Sequence, residues 1–188
     1  MDSPRIPPVE PPYDSDVMEE LARWMPKGAP VEPLALFRTL AQHLPLAQAM
    51  LPLGKYLLGR SAALGIRERE LVIQRVCARL GCEYEWGVHA TFFGAPAGID
   101  GKTMKATVLG RPDDKVWKGT DALLIRLVDE LHYGACVSDA LWAELAAHFT
   151  PPQLLEILVL AGWYHVIAFV ANGAGVTREP WAERFPPL

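Results

Sequence analysis

Cysteine is scarce in this chain: Cys77, Cys82 and Cys136 are the only three, an odd number with no framework spacing. A disulfide scaffold is thereby excluded as the source of stability. Runs of lysine and arginine are absent and the formal net charge is -4. That argues against a nucleic-acid partner, whose phosphates call for a basic stripe. No basic-then-apolar segment opens the chain, because Met1 to Tyr13 is proline-rich and acidic. No signal peptide is read, so a reducing cytoplasm is the expected compartment. Strict period-two alternation is missing too, which leaves no persuasive strand. There is no internal repeat and no strong domain boundary.

What remains is a globular balance, with 51% hydrophobic and 21% charged residues in 188. That length suits one domain able to bury a core without disulfides or metals. The expected division is a proline-rich arm (1–13), one helical domain (14–176) and a tail (177–188). The spacing of Asp16 and Glu19 is that of a capping box, which predicts a short helix through Trp24. Pro45 and Pro52 predict two or three short pieces before Gly59. Leu71, Val72, Val76 and Leu80 predict a helix over 66–80 that ends at Gly81. A second helix follows over 82–93, then shorter ones over 100–109, 121–133 and from Ser138 to His148. Thr150-Pro151-Pro152-Gln153 is a strong start signal for a long apolar helix reaching Asn172 or Gly173. Glu156, His165 and a length short of a usual span argue against a membrane. That helix is expected to be buried all round, in the core or at a subunit interface.

Chemistry concentrates in Gly81-Cys82-Glu83-Tyr84-Glu85-Trp86-Gly87-Val88-His89. Cys82, Glu85 and His89 stand at i, i+3 and i+7, so a thiol, a carboxylate and an imidazole share one helix face. Cys82 should lie in the first turn, where free backbone N–H groups favour a thiolate. Glu85 opposes that by placing a second negative charge nearby. Glu70 belongs to the preceding helix, with Gln74 and Cys77 on the same face. A site between the two helices would hold Glu70, Gln74 and Cys77 on one wall and Cys82, Glu85 and His89 on the other. Carboxylates buried beside an imidazole reach pKa values suited to proton transfer near neutral pH.

The block Arg67-x-Arg69-Glu70-Leu71, followed after about a dozen residues by Glu83-Tyr84-Glu85-Trp86-x-x-His89, resembles the signature of the carboxymuconolactone decarboxylase family, which includes the AhpD-like alkylhydroperoxidases. Softer likenesses are Val137-Ser138-Asp139-x-x-Trp142 and the Tyr164 to Asn172 spacing, so the resemblance covers residues 60–176. It implies an all-α, AhpD-like domain built on a core helical hairpin (66–80 with 82–93). The apolar helix over 154–172 is more than a domain this small needs to cover itself, which predicts a homo-oligomer, a dimer, trimer or hexamer, with that helix partly at the interface. AhpD-like members carry Cys-x-x-Cys and a His at this helix start, with a relay Glu on the preceding helix. By position these fall on Cys82, His89 and Glu70, while the second Cys falls on Glu85. Without a Cys pair, the dithiol cycle cannot run as it does in those peroxidases.

The decarboxylating members need neither metal nor organic cofactor, so none is expected. The resemblance thus implies a cofactor-free acid–base enzyme acting on a small lactone or carboxylate compound. Glu70, Cys82, Glu85 and His89 are the catalytic candidates, with Arg67, Arg69, Tyr84 and Trp86 as substrate-binding candidates. Two alternatives stand beside it: a single-Cys, thiol-dependent hydroperoxidase, and a non-catalytic oligomeric small-molecule-binding protein.

Each candidate also has a purely structural reading. His89 can be a satisfied core histidine, and Glu70 and Glu85 can be paired with Arg67, Arg69 or Arg75. Cys82 can be an inert small hydrophobe, and Tyr84 and Trp86 can be core aromatics. Cys77 and Cys136 are expected in the core. Cys82, Glu85 and His89 lack the fourth ligand that a zinc site requires, so no metal site is assigned.

Overall fold

The chain is described by a computed structural model over residues 3–26, 28–29 and 31–187. The outer ends of the arm and tail, Met1, Asp2 and Leu188, lie outside the described residues. The elements run α1 (Ser15–Trp24), α2 (Ala35–Leu40), a 3-10 turn (Ala41–His43), α3 (Leu44–Leu57), α4 (Ile66–Arg79), α5 (Glu83–Phe93), α6 (Gly101–Leu109), α7 (Asp121–Gly134), α8 (Asp139–Ala146) and α9 (Pro151–Ala174). Among the described residues there is no strand, and the architecture is all-α.

The hub is α4, which packs against α5, α6, α7 and α9. Residues 69–77 of this helix are all buried, including Glu70, Gln74 and Arg75. Burying Arg75 is tolerated because its charge is answered. Its guanidinium forks onto Asp129 of α7 at 2.7 Å through both Nε and Nη2, and donates to the Thr107 and Gly110 carbonyls at 3.0 Å. Arg79 grips the same carboxylate at 2.7 and 2.8 Å. A bidentate pair of this kind sets both distance and orientation between helices. It also removes Arg75 as a partner for Glu70 or Glu85.

Three sequence expectations are corrected here. Pro52 does not break its helix; α3 runs unbroken with Pro45 in its first turn and Pro52 inside. Pro52 sits on an exposed face, where loss of one backbone donor is cheapest. Cys136 is exposed rather than in the core, because it follows the left-handed residue Ala135 (φ 51°) that ends α7. The long helix α9 is not buried all round: its inner face is core, while Leu155, Val159, Val166 and Phe169 are exposed. It is long and apolar enough to cross a membrane by length and composition, but half of its most apolar window is buried inside the fold. Its start is as read, with the Gln153 side chain accepting from the Thr150 N–H at 2.9 Å.

The termini close the structure. The arm lies along its own chain: the Arg5 and Ile6 N–H groups donate to the Ala174 carbonyl at 2.7 and 3.1 Å, and that of Val9 to the Arg38 carbonyl at 3.1 Å. The tail crosses α5, where Gly87 leaves no room for a side chain: a Cβ there would lie 2.2 Å from the Glu183 carbonyl oxygen. Glu179 of the tail takes the Tyr84 hydroxyl at 2.7 Å and the Ala35 N–H at 2.6 Å, tying tail, α5 and α2 together.

Candidate functional site

Three helices meet at one buried hydrogen-bonded chain. Glu70 of α4 has no solvent exposure, and its Oε2 lies 2.8 Å from Nδ1 of His89 on α5. The other imidazole nitrogen, Nε2, lies 2.8 Å from the hydroxyl of Tyr164 on α9. With the carboxylate accepting from Nδ1–H, Nε2 is left to accept from the Tyr164 hydroxyl when the ring is neutral, or to donate to it when charged. Glu85, one turn before His89 on α5, places Oε2 3.7 Å from Nε2. The Arg69 Nε stands 3.6 Å from Glu70 Oε1, at the back of the chain.

The electrostatics follow from this enclosure. Burial alone pulls the His89 imidazole down, but the charge and hydrogen bond of Glu70, helped by Glu85, outweigh it, and the group stands above its ordinary value. Burial pushes the Glu85 carboxyl up, opposed by His89 and reinforced by Glu70 and Glu179. Burial likewise raises the Tyr164 phenol, with the Glu85 and Glu70 charges adding to it. A carboxyl and an imidazole both raised and within reach of each other form an acid–base couple.

This chain forms one wall of a cavity of about 900 Å³. Glu85, His89 and Tyr164 line it from α5 and α9. Apart from Arg23 and Lys55, the remaining lining is apolar: Trp24 at the end of α1 and Met25 after it, Phe37 of α2, Leu51 of α3, Phe92 and Phe93 of α5, and Trp163 of α9. Gly54 of α3 also lines it, with the Trp163 ring 3.3 Å from where a Cβ would sit. A concave apolar pocket with a few convergent polar groups is the usual form of a small-molecule site.

The sequence candidates divide sharply. Glu70, Glu85 and His89 come together as a unit. Cys82 does not join the cavity wall; it is the N-cap residue of α5 and fully buried. Burial and the Glu85 charge push its thiol up to about 12, although the backbone N–H groups of Glu85 and Tyr84 pull the other way. The competition between helix start and carboxylate is thus decided by desolvation. Arg67 is placed elsewhere, forked onto Asp121 at 3.2 and 2.7 Å and donating to the Gly98 carbonyl at 2.7 Å. The Tyr84 hydroxyl is spent on Glu179 and the Leu36 N–H, and the Trp86 indole donates to Thr107 at 3.0 Å. None of these three lines the cavity, and Arg69 lies behind the relay rather than on the cavity wall. Tyr164 was missed as a site residue because it sits in a long apolar helix, where an aromatic side chain reads as core. The walls supplied by α1, α2 and α3 were missed because those helices lie far from α5 in sequence.

No family model matches the chain, and neither does any of the curated proteins compared. Solved structures do match. An uncharacterised peroxidase-related protein from Silicibacter sp. TM1040 superposes with a TM-score of 0.80 at 14% identity, covering 99% of this chain and 100% of that one. A peroxidase-related protein from Ralstonia eutropha JMP134, described as an alkylhydroperoxidase AhpD core, gives 0.75 at 17% identity over 96% and 94%. A protein of unknown function from Agrobacterium tumefaciens gives 0.63 at 21% identity over 70% and 89%. At these identities the likeness is one of fold, and the fold is AhpD-like.

The thiols supply a direct check. Of the three, only Cys136 is exposed. Brief treatment of the native protein with iodoacetamide at pH 8, read by peptide mass spectrometry, should alkylate Cys136 alone. Cys77 and Cys82 should react only after denaturation. Labelling of Cys82 at a rate comparable to Cys136 would contradict its occlusion.

Proposed function

We propose that the protein is a cofactor-free acid–base enzyme acting on a carbonyl, lactone or carboxylate compound with a hydrophobic body. The observation carrying this reading is that a carboxyl, an imidazole and a phenol stand together on the inner wall of the cavity, while the Cys82 thiol is not on its lining. In this mechanism the Glu85 carboxylate takes a proton from the carbon next to a substrate carbonyl. The C–H bond breaks, and its electron pair moves to the carbonyl oxygen as an enolate. The Tyr164 O–H donates to that oxygen. Behind it, the charged His89 donates Nε2–H to the Tyr164 oxygen, and Glu70 holds the imidazolium through Nδ1–H. The reverse transfer, from protonated Glu85 to the enolate carbon, re-forms the C–H bond and returns the electron pair from oxygen to carbon. Preorganised donors in a low-dielectric pocket are the main source of enolate stabilisation, and a positioned proton-transfer group adds roughly 10²–10⁴-fold.

A second reading is a single-Cys hydroperoxidase. The names of the structural neighbours favour it, as do the two backbone N–H groups aimed at the Cys82 sulfur. It requires Cys82 to emerge from full burial and to ionise beside Glu85.

The two readings separate in one pair of assays. Exchange of the α-hydrogens of benzylacetone in D2O, followed by proton NMR, should be accelerated by the native protein and by Cys82→Ser. It should fall roughly 100-fold or more in Glu85→Gln. Consumption of cumene hydroperoxide with dithiothreitol should not depend on Cys82. Exchange indifferent to Glu85→Gln, or peroxide consumption lost in Cys82→Ser, would overturn the acid–base reading.

A further inference from the structure

We infer that the cavity takes a lipophilic monoanion, a hydrocarbon or aryl body ending in one carboxylate, with the carboxylate at the mouth and the body running in toward Glu85. This rests on the acid–base reading for the inner end only. The cavity's charged lining residues are distributed unevenly. The inner wall holds Glu85 beside His89 and Tyr164, whereas Arg23 and Lys55 are its exposed cations, one from α1 and one from α3. Arg23 is engaged with Glu20 at 2.8 Å, while Lys55 has no ion pair among the described residues. In a chain of net charge -4, Lys55 is thus the exposed charge on the described lining that has no opposite charge beside it. Between mouth and inner wall the lining is aromatic and aliphatic, and at about 900 Å³ the space is near the top of the range for drug-sized ligands. An anionic head cannot be seated at the inner end, next to a buried carboxyl. A neutral ligand would leave the cations without a role. One head group at the mouth and one apolar body inside satisfy both ends.

The probes are decanoate and its neutral counterpart decanol, titrated below micelle formation and read by quenching of the cavity tryptophans. Lys55→Glu should weaken decanoate tenfold or more and leave decanol within twofold. Decanoate binding is read without turnover, so it can hold where the exchange assay fails, and loss of the catalytic reading and loss of the binding proposal are told apart. Equal effects of Lys55→Glu on the two ligands, or no saturable binding of decanoate to the native protein, would overturn the proposal.

Discussion

A carboxylate with no contact with water sits at the centre of this fold, and the arrangement around it follows from the need to answer its charge. Removing such a group from solvent costs several kcal/mol unless it is paired and hydrogen-bonded. Glu70 is answered by His89 at 2.8 Å and, at longer range, by Arg69. His89 in turn is answered by Tyr164. Glu70, His89 and Tyr164 stand on three different helices, so satisfying one buried charge fixes the mutual placement of α4, α5 and α9. The neighbouring Arg75–Asp129 fork does the same for α4 and α7. Two buried acid–base pairings therefore set the geometry of the hub helix, and the apolar residues fill the space around them.

The same enclosure explains why the acid–base groups, rather than the thiol, face the ligand space. Glu85 occupies the position that holds a second cysteine in the peroxidases the sequence resembles. There it contributes a carboxyl to the cavity wall and a negative charge beside Cys82. Burial and that charge together keep the thiol protonated. The consequence for stability has a definite sign. A thiol whose folded value is raised contributes stability that is complete below its unfolded value, and loses it as the pH rises toward about 12.

Much of the site was legible in the sequence, and the limits are physical. The spacing of Cys82, Glu85 and His89 and the placement of Glu70 on a neighbouring helix followed from helical periodicity, because those contacts are local or one tight turn apart. Helices α4, α5, α7 and α9 were legible for the same reason. The roles of Arg67, Tyr84 and Trp86 were not, since each is decided by a partner 54, 95 or 21 positions away. Tyr164 lay hidden in an apolar run whose inner and outer faces look alike in sequence. Pro52 signalled a break that an exposed helix face did not require. The apolar cavity depends on α1, α2 and α3 folding over α5, and no local pattern records that.

The central claim is that Glu70 raises the proton affinity of His89 inside the protein, against the pull of burial. The direct measurement is a titration of the His89 ring nitrogens by nitrogen-15 NMR, in the native chain and in Glu70→Gln. In the native chain the imidazole should lose its proton above the ordinary histidine range, with Nδ1 retaining its hydrogen. In Glu70→Gln the charge that outweighed burial is gone, so the midpoint should fall below the ordinary value. A native midpoint at or below the ordinary range, or one unmoved by Glu70→Gln, would contradict the account.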